Sequence, residues 1–251
     1  MRFGLRRSRT RRGISGSSWQ PEMIGASVFS PADTVPYLVA GQVVSWTSRD
    51  NKYTLTDGGV AARRPTYSAT GLGGAYPGVT GDGVDDYLDS LTSLDWAGTG
   101  GCFFANMIDT TGAISVVFES GVGSSAGSAS VFVNNAANNV EAACAAPLAV
   151  YGGPDALASA RSVVVRYDRA QTLASVFDIR SDGATLALSP VIAATATGNF
   201  APQTFGVFRR SGGTFPWAGN LGDWGVIPTR PSDADAARLT SWLAARRGVV
   251  L

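Results

Sequence analysis

Histidine is absent from this chain of 251 residues, and cysteine occurs only twice. Without histidine the chain cannot build a Ser-His-Asp or Cys-His arrangement, a histidine general base, or the histidine ligands of the usual zinc sites. Cys102 and Cys144 lie in separate apolar, strand-like stretches, so we predict two buried free thiols, with a disulfide as the alternative. The composition therefore excludes the commonest histidine-dependent enzymes.

Charged residues are also scarce, at 16% of the chain, against the usual ~25%. Lysine occurs once, as Lys52, and six of the 20 basic residues are arginines within the first twelve positions, where there is no acid. The rest of the chain then carries 14 basic against 19 acidic residues. We treat the basic segment and the mildly acidic remainder as two separate electrostatic objects. The arginines of the segment are Arg2, Arg6, Arg7, Arg9, Arg11 and Arg12.

Long apolar runs are missing too. No window reaches the roughly 18 apolar residues that a membrane-spanning helix needs, so we predict no membrane span. Hydrophobic residues nevertheless make up 45% of the chain, and 31 glycines accompany them. This composition is typical of a globular domain made of short strands and many turns.

The texture of the sequence changes near residue 37. Residues 1–36 begin with the arginines, continue with glycine and serine, and contain several prolines, so we predict an extended N-terminal docking arm. From residue 37 to 251, short β-rich runs alternate with turn-forming clusters, which is typical of a two-sheet sandwich. The predicted strands cover residues 42–47, 53–56, 87–91, 102–108, 114–119, 130–133, 161–167, 174–179, 186–188, 203–208 and 222–227.

One helix is predicted, over residues 232–247. Ser232 is a good N-cap, and Asp233 and Asp235 fall in the first turn, where the helix dipole favours anions. Leu239 and Leu243 belong to an apolar stripe that we expect to dock on the outside of the sandwich. An Asp-Gly pair at 182–183 predicts a hairpin turn between two strands.

Two stretches carry a family resemblance. The first combines residues 64–67 (RPTY), 71–74 (GLGG) and 81–88 (GDGVDDYL), and the second runs from 217–224 (WAGNLGDW) through 231–233 to 243–248. Both resemble the laminin-G-like, concanavalin A-like lectin/glucanase domains found in bacterial surface proteins and in phage and prophage structural genes. The resemblance spans roughly residues 37–251. It implies an all-β, antiparallel two-sheet jelly roll, and it points weakly to a ligand.

Glucanases of that family place their carboxylates on one strand as Glu-x-Asp-x-Glu. This chain has only three glutamates, Glu22, Glu119 and Glu141, and none of them begins such a pattern. Glycoside hydrolysis requires a pair of carboxylates on either side of the sugar bond. We therefore expect a protein that is not an enzyme and has no catalytic residues. A less favoured alternative is a polysaccharide hydrolase or lyase that uses Asp82 or Asp85.

The densest acidic cluster contains Asp82, Asp85 and Asp86. Three carboxylates suit a hard cation, so Ca²⁺ is a possible ligand and the one possible cofactor. The spacing is not that of a complete calcium loop, and we favour a turn whose carboxylates bond to nearby backbone N–H groups.

Sugar-binding residues are predicted in two places. An asparagine-rich stretch between two strands can offer both donors and acceptors to sugar hydroxyls, although turn preference explains it equally well. Among the tryptophans, Trp217 and Trp224 are seven residues apart, so an unbroken strand would turn one of them outwards to stack on a sugar ring. The candidate residues are Asn134, Asn135, Asn138, Asn139 and Trp217.

The arginine segment can be interpreted in three ways: as a phosphate-binding arm for nucleic acid, as a docking arm for an acidic protein surface, or as a solvated tail. It has few aromatics among its arginines, so we do not expect nucleic acid as a partner. Together with the resemblance, it predicts a structural protein of a phage or phage-like virion, made in the bacterial cytoplasm. The expected role is a spike, fibre or decoration component that forms a homo-oligomer in the particle.

The expected partners are capsid, portal or tail proteins, other fibre subunits, and a host surface polysaccharide. The alternative is a free-standing bacterial carbohydrate-binding module.

Overall fold

The computed structural model of the protein describes residues 19–74, 76–110, 113–121, 125–134, 139–145, 148–155, 157–209 and 214–251. Within these ranges the chain forms β-strands that pair antiparallel, followed by one α-helix, α1 (Asp233–Arg246). The strands are β1 (Ser27–Phe29), β2 (Tyr37–Val39), β3 (Gln42–Thr47), β4 (Thr54–Thr56), β5 (Thr66–Leu72), β6 (Tyr76–Asp82), β7 (Leu88–Ser90), β8 (Gly100–Asp109), β9 (Ile114–Ser120), β10 (Ala129–Asn134), β11 (Asn139–Cys144), β12 (Ala149–Pro154), β13 (Arg161–Asp168), β14 (Phe177–Ser181), β15 (Ala184–Thr185), β16 (Ser189–Ile192), β17 (Phe205–Val207) and β18 (Ala218–Ile227).

The strand pairings build two sheets. Sheet 1 has the order β5–β6–β18–β8–β13–β14–β15, and β1 continues the edge occupied by β6 by pairing with the other half of β18. Sheet 2 has the order β2–β3–β4–β7–β17–β9–β10–β11–β12–β16. A single pairing of Gln42 with Thr66 links the two. The predicted all-β jelly-roll sandwich with a C-terminal helix is confirmed.

Large aromatic side chains fill the space between the sheets. Trp224 on β18 stacks on Phe29 with ring centroids 4.2 Å apart, and its edge meets Trp46 at 6.0 Å. Phe103 on β8 and Phe118 on β9 stack at 4.9 Å across the sandwich. All of these side chains are buried, and rings packed in this way contribute both buried area and favourable edge and face contacts.

The N-terminal boundary of the sandwich lies earlier than the sequence predicted. Residues 27–29 form β1, which pairs with residues 224–226 of β18, and Phe29 belongs to the core. The predicted arm over 1–36 therefore includes a strand of sheet 1, because a three-residue strand flanked by Gly25 and Pro31 is too short to be recognised by alternation. The arginines of the predicted arm lie outside the described residues.

A bulge in β18 turns both of the predicted tryptophans inwards. Leu221 faces Met107 and Trp224 faces Ala105, so three steps on β18 match two steps on β8. An extra residue in a strand reverses which face the following side chains occupy. Trp217 and Trp224 consequently both lie in the core, and the prediction that one of them is exposed is wrong.

The helix is confirmed within one residue at each end. Ser232 accepts a hydrogen bond from the backbone N–H of Asp235, which caps α1 as predicted. Leu239 and Leu243 pack on Phe104 and Val164 of sheet 1, on the face away from the core. No helix in the described part of the chain is long and apolar enough to cross a membrane.

The strand predictions were wrong at β14. Residues 173–176 form a 3-10 turn, so the strand begins only at Phe177. Residues 186–188 lie between β15 and β16 and are not a strand, although Leu186 and Leu188 pack partly against the core. The predicted hairpin turn at 182–183 is confirmed, because Asp182 and Gly183 both have positive φ, of 43° and 87°.

Replacing Phe29 tests whether β1 is part of the sandwich. We expect Phe29→Ala to lower the free energy of unfolding by about 3–5 kcal/mol, the usual cost of truncating a buried phenylalanine. Met23→Ala, at a side chain that is 60% exposed, is the control and should change it by less than about 0.5 kcal/mol. Urea titrations of both variants would measure this. A neutral Phe29→Ala would mean that the extension does reach residue 36.

Candidate functional site

The outer face of sheet 2 carries an apolar surface. Side chains on a strand alternate between the two faces of a sheet, so while Val131 and Val133 of β10 enter the core, Phe132 points to the opposite side. Phe132 joins Val116 and Val150 in an apolar cluster that is separate from the core. Polar residues normally occupy the solvent-facing side of an antiparallel sheet, and this buried apolar cluster departs from that pattern.

A shallow hollow of about 170 Å³ opens on this face, which we call the sheet 2 hollow. Phe132, Val150 and Glu141 form its inner part. Its rim consists of partly exposed apolar side chains, namely Ile114, Leu148, Val191, Ile192 and Phe215.

Glu141 is the ionisable residue of the described lining. Its side chain projects from β11, directly opposite Phe132 on β10, and it is 1% exposed. One carboxylate oxygen, Oε1, accepts a hydrogen bond from Nδ2 of Asn134 at 3.0 Å. The other, Oε2, is buried and has no hydrogen-bond partner among the described residues. A buried acceptor without a donor costs free energy, so a ligand that supplies a donor would be stabilised there.

Room for Glu141 comes from Gly152, its neighbour on β12. A Cβ atom at position 152 would lie 2.7 Å from Cγ of Glu141, which is closer than non-bonded carbon atoms approach. The glycine therefore allows the glutamate side chain to lie flat against the sheet beneath the hollow.

Phe215 is held at the rim by strained backbone. Its φ is +52°, a conformation that bulky residues rarely adopt and that costs about 1–3 kcal/mol. Its carbonyl accepts a hydrogen bond from the N–H of Val116 at 3.0 Å, next to a bulge in β9. Strain of this kind is concentrated at functional sites. Phe215 as a whole is 38% exposed.

Trp217 does not bind sugar from solvent, contrary to the prediction, because it is fully buried. Its ring stacks on Phe208 at 5.5 Å, and its Nε1 donates a hydrogen bond to Oδ1 of Asp109 at 2.8 Å. Its backbone N–H donates to the carbonyl of Phe208 at 2.7 Å. Trp217 thus anchors the base of the segment that carries Phe215.

Of the four predicted asparagines, Asn134 and Asn139 lie within the described residues. Asn134 ends β10 and Asn139 begins β11, opposite each other, so the stretch does connect two strands of sheet 2. Asn134 reaches the hollow through its bond to Glu141. Asn135 and Asn138 lie outside the described residues. Sequence reasoning missed Glu141, although a single glutamate within the otherwise apolar run VEAAC was a usable signal, and it offered Phe215 only as one of several aromatics that could stack on a sugar ring.

A second, narrower cleft lies on the same sheet. Asp89 and Glu119 lie on either side of Gly206, and Arg209 also lines this cleft. The volume of the cleft is about 70 Å³. Burial raises the pKa of Asp89, while the nearby Arg209 and Arg63 lower it in part. A space of this size holds water molecules and not a sugar ring.

The acidic cluster forms a turn between β6 and β7. Oδ1 of Asp82 accepts hydrogen bonds from the N–H groups of Val84 and Asp85, at 2.8 and 3.4 Å, and Oδ2 of Asp86 accepts from the N–H of Asp82 at 2.9 Å. Carboxylate oxygens of the three aspartates lie within 4.8 Å of one another. The geometry matches the turn that the sequence favoured, and calcium binding there stays a prediction.

Comparison with known proteins informs the fold only. Neither a family model nor a curated protein matches the sequence. A sialidase from Trypanosoma rangeli, solved with the inhibitor DANA, matches with a TM-score of 0.52 and 13% identity over 85% of this chain and 32% of that chain.

Two smaller structures are less similar. The CBM40 module of the Ruminococcus gnavus IT-sialidase, bound to alpha2,3 sialyllactose, matches with a TM-score of 0.46 and 14% identity over 64% of this chain and 92% of that one. The heptameric SAP-like pentraxin of Limulus polyphemus matches with a TM-score of 0.46 and 12% sequence identity, over 62% of this chain and 75% of that one.

The acidic turn leads to a prediction of pH dependence. Burial raises the pKa of Asp86 from 3.8 to about 6, so the folded protein binds this proton more tightly than the unfolded chain does. The resulting stabilisation is fully present below pH 3.8 and is lost as the pH rises through about 6. Relative to Asp86→Asn, which keeps a carbonyl acceptor for the N–H of Asp82, the native chain should lose stability of the order of 2 kcal/mol between pH 4 and 7. Urea denaturation of both proteins across this pH range measures the difference. If the free energies of unfolding of the native chain and of Asp86→Asn changed with pH in parallel, the raised pKa of Asp86 would be contradicted.

Proposed function

We propose that this protein is a non-enzymatic, carbohydrate-binding β-sandwich whose ligand occupies the sheet 2 hollow. The observation that carries the proposal is the buried carboxylate oxygen Oε2 of Glu141, which has no hydrogen-bond partner among the described residues and lies beneath an apolar, partly exposed hollow. Binding sites for small ligands typically combine apolar walls with a few well-placed polar groups, and this hollow has that composition.

Saccharides fit this combination. A pyranose ring presents hydroxyl donors at its edge and apolar C–H groups on its faces, so it can donate to the carboxylate of Glu141 while a face packs on the ring of Phe215. Asn134 orients the carboxylate, because its amide already occupies Oε1 and leaves Oε2 for the ligand.

The acidic residues of sheet 2 agree with a protein that is not an enzyme. Glycoside hydrolysis requires a pair of carboxylates on either side of the sugar bond, whereas Glu141 is the one acidic residue of the described lining of the hollow. Asp89 and Glu119 line the separate, narrower cleft.

A second proposal concerns the setting of this binding activity. The six arginines in the first twelve residues contrast with the acidic excess of the remainder, and the resemblance of the sandwich to domains of phage structural proteins agrees with an arm that docks on an acidic protein lattice. We therefore propose a component of a phage-like virion, with a free-standing bacterial carbohydrate-binding module as the alternative.

Phe215→Ala tests the binding site. We expect the full chain to bind at least one class of glycan on an array, and the substitution to weaken that binding about tenfold, because a contact with an aromatic ring contributes on the order of 1.4 kcal/mol. Leu91→Ala is the matched control, since Leu91 is an exposed apolar residue, at 67%, outside the hollow. Equal losses in both variants, or a glycan bound without dependence on Phe215, would contradict the site.

Electron microscopy of particles tests the setting. Particles assembled with the full chain should show extra density that is lost when the gene is deleted, and replacing the six arginines with serine should prevent incorporation while the sandwich still folds. A protein that is never found in particles would leave the free-standing module as the better account.

A further inference from the structure

The polar groups of the sheet 2 hollow are acceptors. A carboxylate accepts hydrogen bonds and cannot donate them. The described residues that line the hollow include no arginine and no lysine, and Glu141 forms no ion pair among the described residues. The amide donor Nδ2 of Asn134 is directed at Glu141 itself.

The remaining lining is apolar and branched. Val150, Val191 and Ile192 form one wall, and Phe132 and Phe215 form others. This is more hydrocarbon surface than a fully hydroxylated ring edge can cover without burying hydroxyl groups that have no partner. A methyl-bearing substituent can cover it at no such cost.

We infer, building on the proposed function, that the hollow selects saccharides with a neutral or cationic bound edge that carries a methyl group, and that it rejects acidic sugars. N-acetylhexosamines and 6-deoxyhexoses have this chemistry: an N–H or hydroxyl donates to Oε2 of Glu141, and the methyl group packs on Val150 and Ile192. An acidic sugar brings a second acceptor against Glu141, and the described lining holds no cation to receive it.

Competition among sugars of different charge tests this inference with the full chain. The probes are N-acetylglucosamine, methyl rhamnoside, glucosamine, glucuronic acid and sialyllactose, measured by saturation-transfer-difference NMR and calorimetry. We expect N-acetylglucosamine and methyl rhamnoside to bind at least tenfold more tightly than the two acids, and glucosamine, which lacks the methyl group, to bind more weakly than N-acetylglucosamine. Glu141→Gln adds a donor to the site and should reduce that preference to less than about threefold.

A rim substitution keeps the test valid if Glu141→Gln does not fold. Ile192 is 43% exposed, and Ile192→Lys places a cation at the hollow, so it should raise the affinity for glucuronic acid and sialyllactose at least fivefold. Val60→Lys, at an exposed valine outside the hollow, is the control and should leave both affinities unchanged.

The possible failures are distinguishable. Tighter binding of the acids by the native chain, or an unchanged preference in both hollow variants, overturns the selectivity but leaves carbohydrate binding standing. Silence towards all five sugars overturns the proposed function and the inference together. Silence towards sugars combined with Glu141-dependent binding of an arginine-rich peptide would identify the hollow as a peptide site and would also overturn both.

Discussion

Face-to-face packing of the two sheets is the constraint that organises this molecule. It uses the inner face of every central strand, and the aromatic rings of Phe29, Trp46 and Trp224 lie where the sheets meet. The outer faces of the two sheets differ in what covers them. On sheet 1, α1 covers Phe104 and Val164. On sheet 2, no helix in the described part of the chain covers the apolar outer cluster. The cluster itself is buried, and the partly exposed apolar side chains at the rim of the hollow are the ones that face solvent.

Two strand bulges, in β9 and β18, shape the region around the sheet 2 hollow. The bulge in β9 lies beside the backbone bonds that fix Phe208 and Phe215, and the bulge in β18 brings Trp217 inwards, where it supports the same segment. Each irregularity breaks a regular ladder at a cost in backbone pairing. Together they place an aromatic ring beside a carboxylate that the sheet itself keeps buried.

Much of the architecture could be predicted from the sequence, whereas little of the site could. Strand texture and the Ser232 cap were enough for the sandwich and the helix, because both depend on local patterns. Trp217 was misplaced because a single bulge reverses the alternation on which the prediction depended. The sequence did not indicate that Glu141 and Phe215 line one hollow, because they are brought together by pairings between strands that are distant in sequence, and by a positive φ that no motif indicates.

The central claim is that the outer face of sheet 2 binds saccharide at Glu141, and chemical-shift mapping tests it most directly. In a titration of the ¹⁵N-labelled full chain with N-acetylglucosamine, we expect the perturbed backbone amides to cluster at Phe132, Glu141, Val150 and Phe215, on one face of the sandwich. Perturbations centred on the cleft at Asp89 and Glu119, on the surface of α1, or nowhere at saturating sugar would contradict it.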